Sequence, residues 1–341
     1  MARFRNITNG VAFSTEIMNV EICEASATVT FSILKSGEEI FSSAFTPDAA
    51  GNIFIYDVRS ILEAHIDDVF ADFSFTVGND TVNSRVFKAS VIVTETAEQF
   101  LPSFFLSPTN KKRTAPDRYE TLAFYPQEAC RVYTVASYYD NGHIAVREIQ
   151  LMGTEDVTPD AVNIIDVSAK KFIDESKGTL VSFVVRAGER SFYYTVDNTL
   201  PSADPSILFR NCFNCWDTLF FTGTKENSLE VKRSFAFVDG RYRMYDAVDT
   251  ESFKANSGVL DEYMIVLAKD LARARSVFLM DKLGNATYEL SVTDSEIKYT
   301  NNDDALPTMD FTFRIALYIT LLLEPNRPPK LFDSTFDNTF N

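Results

Sequence analysis

Val132-Tyr133-Thr134-Val135-Ala136-Ser137-Tyr138-Tyr139, then Asp140-Asn141-Gly142, then Ile144-Ala145-Val146-Arg147-Glu148-Ile149-Gln150-Leu151 is the stretch that decides the fold. Two β-prone runs flank an Asn-Gly turn, which reads as a hairpin. A second hairpin follows, Leu180 to Val185 and Phe192 to Val196 joined through Ala187-Gly188. The same habit extends through the chain, whose 30 phenylalanines stand against 12 glycines and 12 prolines. Much of that phenylalanine alternates with Ser, Thr, Asp or Arg, as half-buried strands require. The expected class is therefore mainly β, with tandem β-sandwich-like domains.

Working outward, residues 1–96 read as an N-terminal sandwich. Ala27, Val29, Phe31 and Ile33 alternate with Thr28, Thr30 and Ser32. Further strands are expected at Ile40 to Phe45, Ile53 to Tyr56, Phe73 to Val77 and Val86 to Val93. Asp57 is placed to cap a short helix carrying Ile61, Leu62 and Ile66. Residues 97–200 read as a linker followed by the middle β domain. The linker is expected where Pro102, Pro108, Pro116 and Pro126 surround Lys111-Lys112-Arg113, read as a solvated basic loop.

Residues 201–326 read as a C-terminal β-rich domain with one core-packing helix at about 259–273. Ser257 would cap it, and Leu260, Met264, Leu267 and Leu271 form its apolar stripe. A strand from Thr308 to Thr320 would place Met309, Phe311, Phe313, Ile315, Leu317 and Ile319 on one face. Residues 327–341 form a C-terminal interaction arm after Pro325, Pro328 and Pro329. Its Phe332, Phe336 and Phe340 recur every four residues and have no core of their own.

Bulk charge bears on partners. The formal net charge is −16, from 48 acidic against 32 basic residues, which opposes specific binding to a phosphate backbone. No charged and then apolar leader opens the chain, and the longest apolar stretch, Ile315 to Leu323, is about half what a membrane helix needs. No membrane partner is expected. Four cysteines make no disulfide framework, which fits synthesis in a reducing cytoplasm.

No catalytic, cofactor-binding or metal residues are assigned, and no enzyme is expected. The two histidines, His65 and His143, are far apart and read as ordinary edge or surface residues. Cys212-Phe213-Asn214-Cys215 has the spacing of half a zinc site or a redox pair, but Cys23 and Cys130 complete no second pair, and the reading is structural. Asn301-Asn302-Asp303-Asp304 reads as a polar turn rather than a calcium loop, because an EF-hand's glycine and spacing are missing.

A resemblance emerges from about residue 208 onward. Leu208-Phe209-Arg210-Asn211-Cys212-Phe213-Asn214-Cys215-Trp216-Asp217-Thr218 through Thr222-Gly223-Thr224-Lys225 is similar to a stretch in tail-associated virion proteins of phages and prophages of Bacteroidetes. So are Arg233-Ser234-Phe235, Ser252-Phe253-Lys254-Ala255-Asn256-Ser257-Gly258, Tyr299-Thr300-Asn301-Asn302-Asp303-Asp304 and the closing Phe-Asp-x-Thr-Phe units. The resemblance implies a non-enzymatic distal-tail or baseplate component. Its partners would be itself, as a ring, and neighbouring tail proteins; its place would be the virion tail, after synthesis in the host cytoplasm. The alternative is a carbohydrate-binding or carbohydrate-cleaving adhesin, which would need a shallow groove lined by Tyr138, Tyr139 or Trp216 with carboxylates beside it.

The arm generates the first prediction. Phenylalanine burial alone does not offset the ordering of ten residues, so the arm needs a strand edge or a ring to dock on. Deleting residues 331–341 is expected to leave the circular dichroism of each subunit unchanged and to weaken oligomers on sizing; identical assembly would make the arm a passive end.

Overall fold

The computed structural model of the chain describes residues 2–7, 9–298 and 306–316. Leu317, Ile319, Asn301 to Asp304 and the arm residues Phe332, Phe336 and Phe340 lie outside the described residues. The fold is mainly β, with three α-helices among them: α1 (Val58–Ala64), α2 (Ala97–Ser103) and α3 (Glu262–Leu271).

In the N-terminal part a five-stranded sheet runs in the order Gly10–Phe13, Asp80–Phe87, Phe70–Val77, Val29–Lys35, Glu38–Phe45. A three-stranded sheet of Arg3–Phe4, Val20–Cys23 and Ile53–Ile55 accompanies it. Phe31, Ile33, Phe75 and Val77 from the first sheet share one apolar core with Ile22, Ile53 and Ile55 from the second. Val58 and Leu62 of α1 complete it. Asp57 does sit at the start of α1, but in a left-handed conformation; its carboxylate accepts from the Ser60 hydroxyl instead of a helix amide. The strand expected to reach Val93 stops at Phe87.

The middle sheet runs in the order His143–Met152, Val132–Asp140, Thr179–Ala187, Arg190–Val196, Lys111–Thr114. Both expected hairpins are present, with Asn141 and Gly142 at positive φ, as a tight two-residue turn requires. Phe183 stacks on Tyr194 at 4.6 Å between ring centroids. The presumed basic loop is a correction. Lys111–Thr114 is an edge strand pairing in parallel with Arg190–Val196, and Lys112 is buried. A strand's two-residue period turns Lys112 and Thr114 inward; Lys111 instead lies 5.0 Å from the Tyr263 ring.

The C-terminal sheet has seven strands, ordered Trp216–Phe220, Ser206–Arg210, Val277–Met280, Ala286–Lys298, Thr308–Ile315, Arg241–Asn256, Lys225–Val238. Helix α3 packs Met264, Leu267 and Leu271 against Phe209, Phe221, Phe311 and Phe313. Its cap is Asp261, whose Oδ1 accepts from the Met264 amide at 2.8 Å, not Ser257. Ser257 Oγ instead accepts from the Met309 amide, fixing the last strand to the loop before the helix. Leu260 is buried just ahead of the first turn.

The three parts meet at one seam. Residues 97–125, of which Gln99 to Tyr125 are expected as a linker or long surface loop, contribute α2 and the strands Lys111–Thr114 and Thr121–Phe124 to it. Phe13, Phe100 and Phe213, one ring from each part, lie 5.1 to 5.6 Å apart. The prolines punctuate a tightly packed segment, because an irregular path between cores can be buried when its polar groups are matched.

Phe313, 1% exposed and stacked at 5.4 Å on Phe253, is a core residue by this geometry. Phe313→Ala is expected to cost about 3–5 kcal/mol in denaturant unfolding, whereas Phe237→Ala, 64% exposed beyond the core on the same face, should stay within about 0.5 kcal/mol. Equal effects would mean that the burial of Phe313 or the exposure of Phe237 is misassigned.

Candidate functional site

Two buried clusters carry chemistry, and a third feature carries surface. The first cluster is Lys112, whose Nζ donates to Glu120 Oε2 at 2.6 Å, Asp217 Oδ1 at 3.1 Å, and Thr218 O and Oγ1 at 2.7 and 2.8 Å. Burial pulls the ammonium toward the neutral form, but Glu120 and Asp217 more than reverse it and its pKa ends above the ordinary value. A lysine held charged and fully bonded is no nucleophile or base; it is a pin between the middle and C-terminal sheets.

The second cluster is the Cys212 to Cys215 loop. Asn211 organises it: its Oδ1 accepts from the amides of Phe213 and Cys215, and its Nδ2 donates to Leu106 O at 2.9 Å. Asn214, at φ 60°, donates from Nδ2 to Asp68 O at 2.7 Å. Both thiols are buried, and burial pushes both pKa values up, so they stay protonated. Thiolates bind metal and attack disulfides; these groups are held in the inert form. Among the described residues no three of His, Cys, Asp and Glu gather as a metal site.

Beside this loop Asp270 Oδ2 accepts from the Cys212 amide at 2.8 Å, and burial, reinforced by Asp217, raises its carboxyl to about 6. It opens on a cleft of about 300 Å³ lined by Val91, Phe100, Cys212, Phe213 and Val266. Neither histidine reaches it: His65 Nδ1 is within 2.9 Å of Ile61 O at the end of α1, and His143 is exposed beside the Asn-Gly turn. The aromatic groove of the carbohydrate reading is also absent at the expected residues. Tyr138 is buried and donates to Phe172 O at 2.6 Å, while Tyr139 on the opposite face is exposed. Trp216 belongs to another sheet, with the Arg210 guanidinium 3.9 Å above its ring.

The surface feature is the hairpin of Lys225–Val238 and Arg241–Asn256, which sequence reading missed. Asp239 and Gly240 both have positive φ and close a two-residue turn; that Asp-Gly pair was the available signal. The ladder runs from Lys225↔Ala255 to Val238↔Arg241, with Tyr245 the extra residue of a bulge between Ser234↔Asp246 and Phe235↔Met244. The neighbouring strand Thr308–Ile315 pairs only with Phe253 to Asn256. From Arg241 to Ser252 the hairpin is therefore a two-stranded ribbon among the described residues, roughly 40 Å long at about 3.3 Å per residue.

Its faces differ. Opposed positions share a face, so Leu229, Val231, Phe235 and Phe237 lie with Met244 and Tyr242 on one side. Ser228, Glu230, Lys232 and Ser234 lie on the other with Ser252, Thr250, Val248 and Asp246. The apolar side continues the face that buries Ala255 and packs Phe253 on Phe313, but beyond the core it stands in solvent, with Phe237 64% and Tyr242 77% exposed. Residues 225–256 hold 6 basic and 6 acidic side chains, a net of zero in a chain of −16. Arg233, Asp249 and Glu251 share that face, so its exposed apolar part is concentrated around Phe235, Phe237, Tyr242 and Met244.

No family model matches the chain. No curated protein does either. Among solved structures it is similar to the I9-I11 tandem from titin, at 14% identity and a TM-score of 0.15, over 57% of this chain and 65% of that one. It is also similar to a Salmonella alpha-2-macroglobulin mutant, at 9% identity and a TM-score of 0.15, over 88% of this chain and 23% of that one. The chain thus spans less than two thirds of either.

Asp270 generates a pH prediction. Its folded carboxyl keeps its proton to about pH 6 against an ordinary 3.8, so the folded state binds more protons between those values. Stability from this group is full below about 3.8 and is lost as pH rises through 6, by roughly 3 kcal/mol. Asp270→Asn, which keeps an acceptor for the Cys212 amide, should gain by that order on wild type between pH 4 and pH 7.5 in urea unfolding. A constant difference across that range would place the carboxyl in water.

Proposed function

We propose that this protein is a non-enzymatic structural subunit of a phage tail tip or baseplate, which works by shape and contact. The observation that carries the proposal is the ribbon, with one apolar face presented to solvent and no net charge in an otherwise acidic molecule. Two copies, each strongly negative, repel across most approaches; the ribbon is where they can meet without that penalty. A lone two-stranded ribbon is marginal in water, which makes a covering partner part of its stability.

The sequence resemblance to tail-associated virion proteins supports the identity of the assembly, since Arg233-Ser234-Phe235 lies on the ribbon and Ser252 to Gly258 runs through its base. Self-association as a ring, with neighbouring tail proteins on the remaining edges and the virion tail as location, completes the reading. If the assembly encloses a channel, an acidic lumen would keep DNA from sticking to its wall.

Native mass spectrometry and sedimentation of the full chain test this. A discrete closed oligomer is expected at micromolar concentration. The double substitution Phe237→Asp and Tyr242→Asp should shift it to monomer while leaving the circular dichroism of the folded subunit essentially unchanged. A monomeric wild type, or an oligomer indifferent to both charges, would sink the proposal.

A further inference from the structure

The outer half of the ribbon differs in charge from the rest of the molecule. Residues 233–244 carry Arg233, Arg241 and Arg243 against Asp239 alone, a net of +2 that leaves −18 on the remainder of a chain of −16. All three arginines are exposed, and among the described residues none of them pairs with a carboxylate. The ribbon's other cations do: Lys225 with Asp204, Lys232 with Glu230 and Lys254 with Asp310. Among the free guanidiniums stand two rings, Phe237 and Tyr242, opposite each other one pair back from the Asp239-Gly240 turn and 5.1 Å apart between centroids. Arg241 and Arg243 flank Tyr242 in sequence but face the other way, opposite Val238 and Ala236. Aromatic rings with arginines around them are the composition that carries binding energy at protein interfaces.

We infer that this tip docks head to tail on the acidic body of a second copy, and not on the second copy's own ribbon. Opposite charge selects the body: the +2 of the tip meets a surface drawn from the remaining −18, whereas tip against tip gathers the free arginines of both copies. Packing ribbon on ribbon also fails position by position. Laid face to face about a two-fold axis through the middle of the apolar face, two ribbons bring Arg233 onto Arg233 and set Phe237 and Tyr242 over Leu229 and Glu251. That packing leaves Arg241 and Arg243 pointing away from the contact. On a body, the rings take the apolar contact, and the arginines, long enough to reach round a ribbon two strands wide, take carboxylates at its rim. A tip on one copy and an acceptor on the next make a heterologous contact, the kind that closes into a ring. The inference rests on the self-association proposed above and names the surface that receives the ribbon.

Two variants of the full chain test it. Arg241→Glu with Arg243→Glu keeps both rings and reverses the tip; in sedimentation at low salt it is expected to weaken the oligomer by about ten-fold or more, with circular dichroism unchanged. Arg241→Lys with Arg243→Lys, which keeps the charge, should lie between that variant and wild type. The second variant, Phe237→Ser with Tyr242→Ser, is isotope-labelled and mixed in excess with unlabelled wild type. Native mass spectrometry is expected to show one wild-type copy bound to one labelled copy, because a copy without the rings still offers its body to a wild-type tip. A contact made by two ribbons would lose that mixed species together with the variant's own oligomer. An oligomer indifferent to charge reversal, or no mixed species, would overturn the inference and leave the proposed assembly on another contact. A wild type that stays monomeric would remove both, and its sedimentation with phosphatidylglycerol vesicles would make an anionic lipid surface the partner of the tip.

Discussion

The Lys112 ammonium, sealed between two sheets, is the constraint on which the arrangement of the molecule depends. Its side chain is 2% exposed, and Glu120 and Asp217 beside it are 0% and 8% exposed. Burying such charges is unfavourable unless geometry and hydrogen bonds are nearly complete. The bonds of the Lys112 ammonium need both units: Lys112 and Glu120 come from the middle part, and Asp217 and Thr218 from the strand Trp216–Phe220, while Glu120 Oε1 is buried without a hydrogen-bond partner. Arg118, whose guanidinium lies 4.8 Å from the Phe220 ring, adds a second positive charge near Glu120. Separated, each unit would keep half a charge network on an apolar surface. The network therefore selects one docking of the two sheets, much as buried polar groups select register elsewhere.

The aromatic contacts across the seam have a complementary role. Phe13, Phe100 and Phe213 supply burial without direction, whereas the Asn211 and Asn214 bonds hold the Cys212 to Cys215 loop at one height against Leu106 and Asp68. The protonated thiols then read as small apolar side chains in a crowded place. Asp270 bears the cost of that crowding, since the surroundings that keep Cys212 neutral also disfavour its ionised carboxylate.

Alternation made the strands and both middle hairpins legible in sequence, because one buried face imposes a strict two-residue period. Helix α3 was legible for the corresponding reason at 3.6 residues. Lys112 was not, since a cation turned inward looks the same in sequence as one in solvent until its carboxylates, 8 and 105 residues away, are brought to it. Prolines at 102, 108 and 116 suggested a linker, but a proline-rich path can be buried when its neighbours satisfy its carbonyls. The ribbon escaped because its alternation is diluted: Arg233, Asp249 and Glu251 interrupt the apolar face, and the bulge at Tyr245 shifts the phase on one strand only.

That dilution bears on how the ribbon works. A fully apolar face of this length would drive indiscriminate edge and face pairing, the hazard that exposed strands carry. Charges toward the base and aromatics toward the tip restrict strong burial to the outer half, around Phe235, Phe237, Tyr242 and Met244. The inner half, with Asp249 and Glu251 opposite Val231 and Leu229, resists a partner that overshoots. In the proposed assembly a docking neighbour would thus be guided in depth as well as in orientation. The polar face is built differently, mostly from Ser, Thr, Asp, Glu and Lys with Ala236, Val238 and Val248 as apolar exceptions, so in the proposed assembly a partner would be drawn to one side of the blade. A fixed side and a fixed depth are what repeated copies need in order to close around an axis rather than extend without limit.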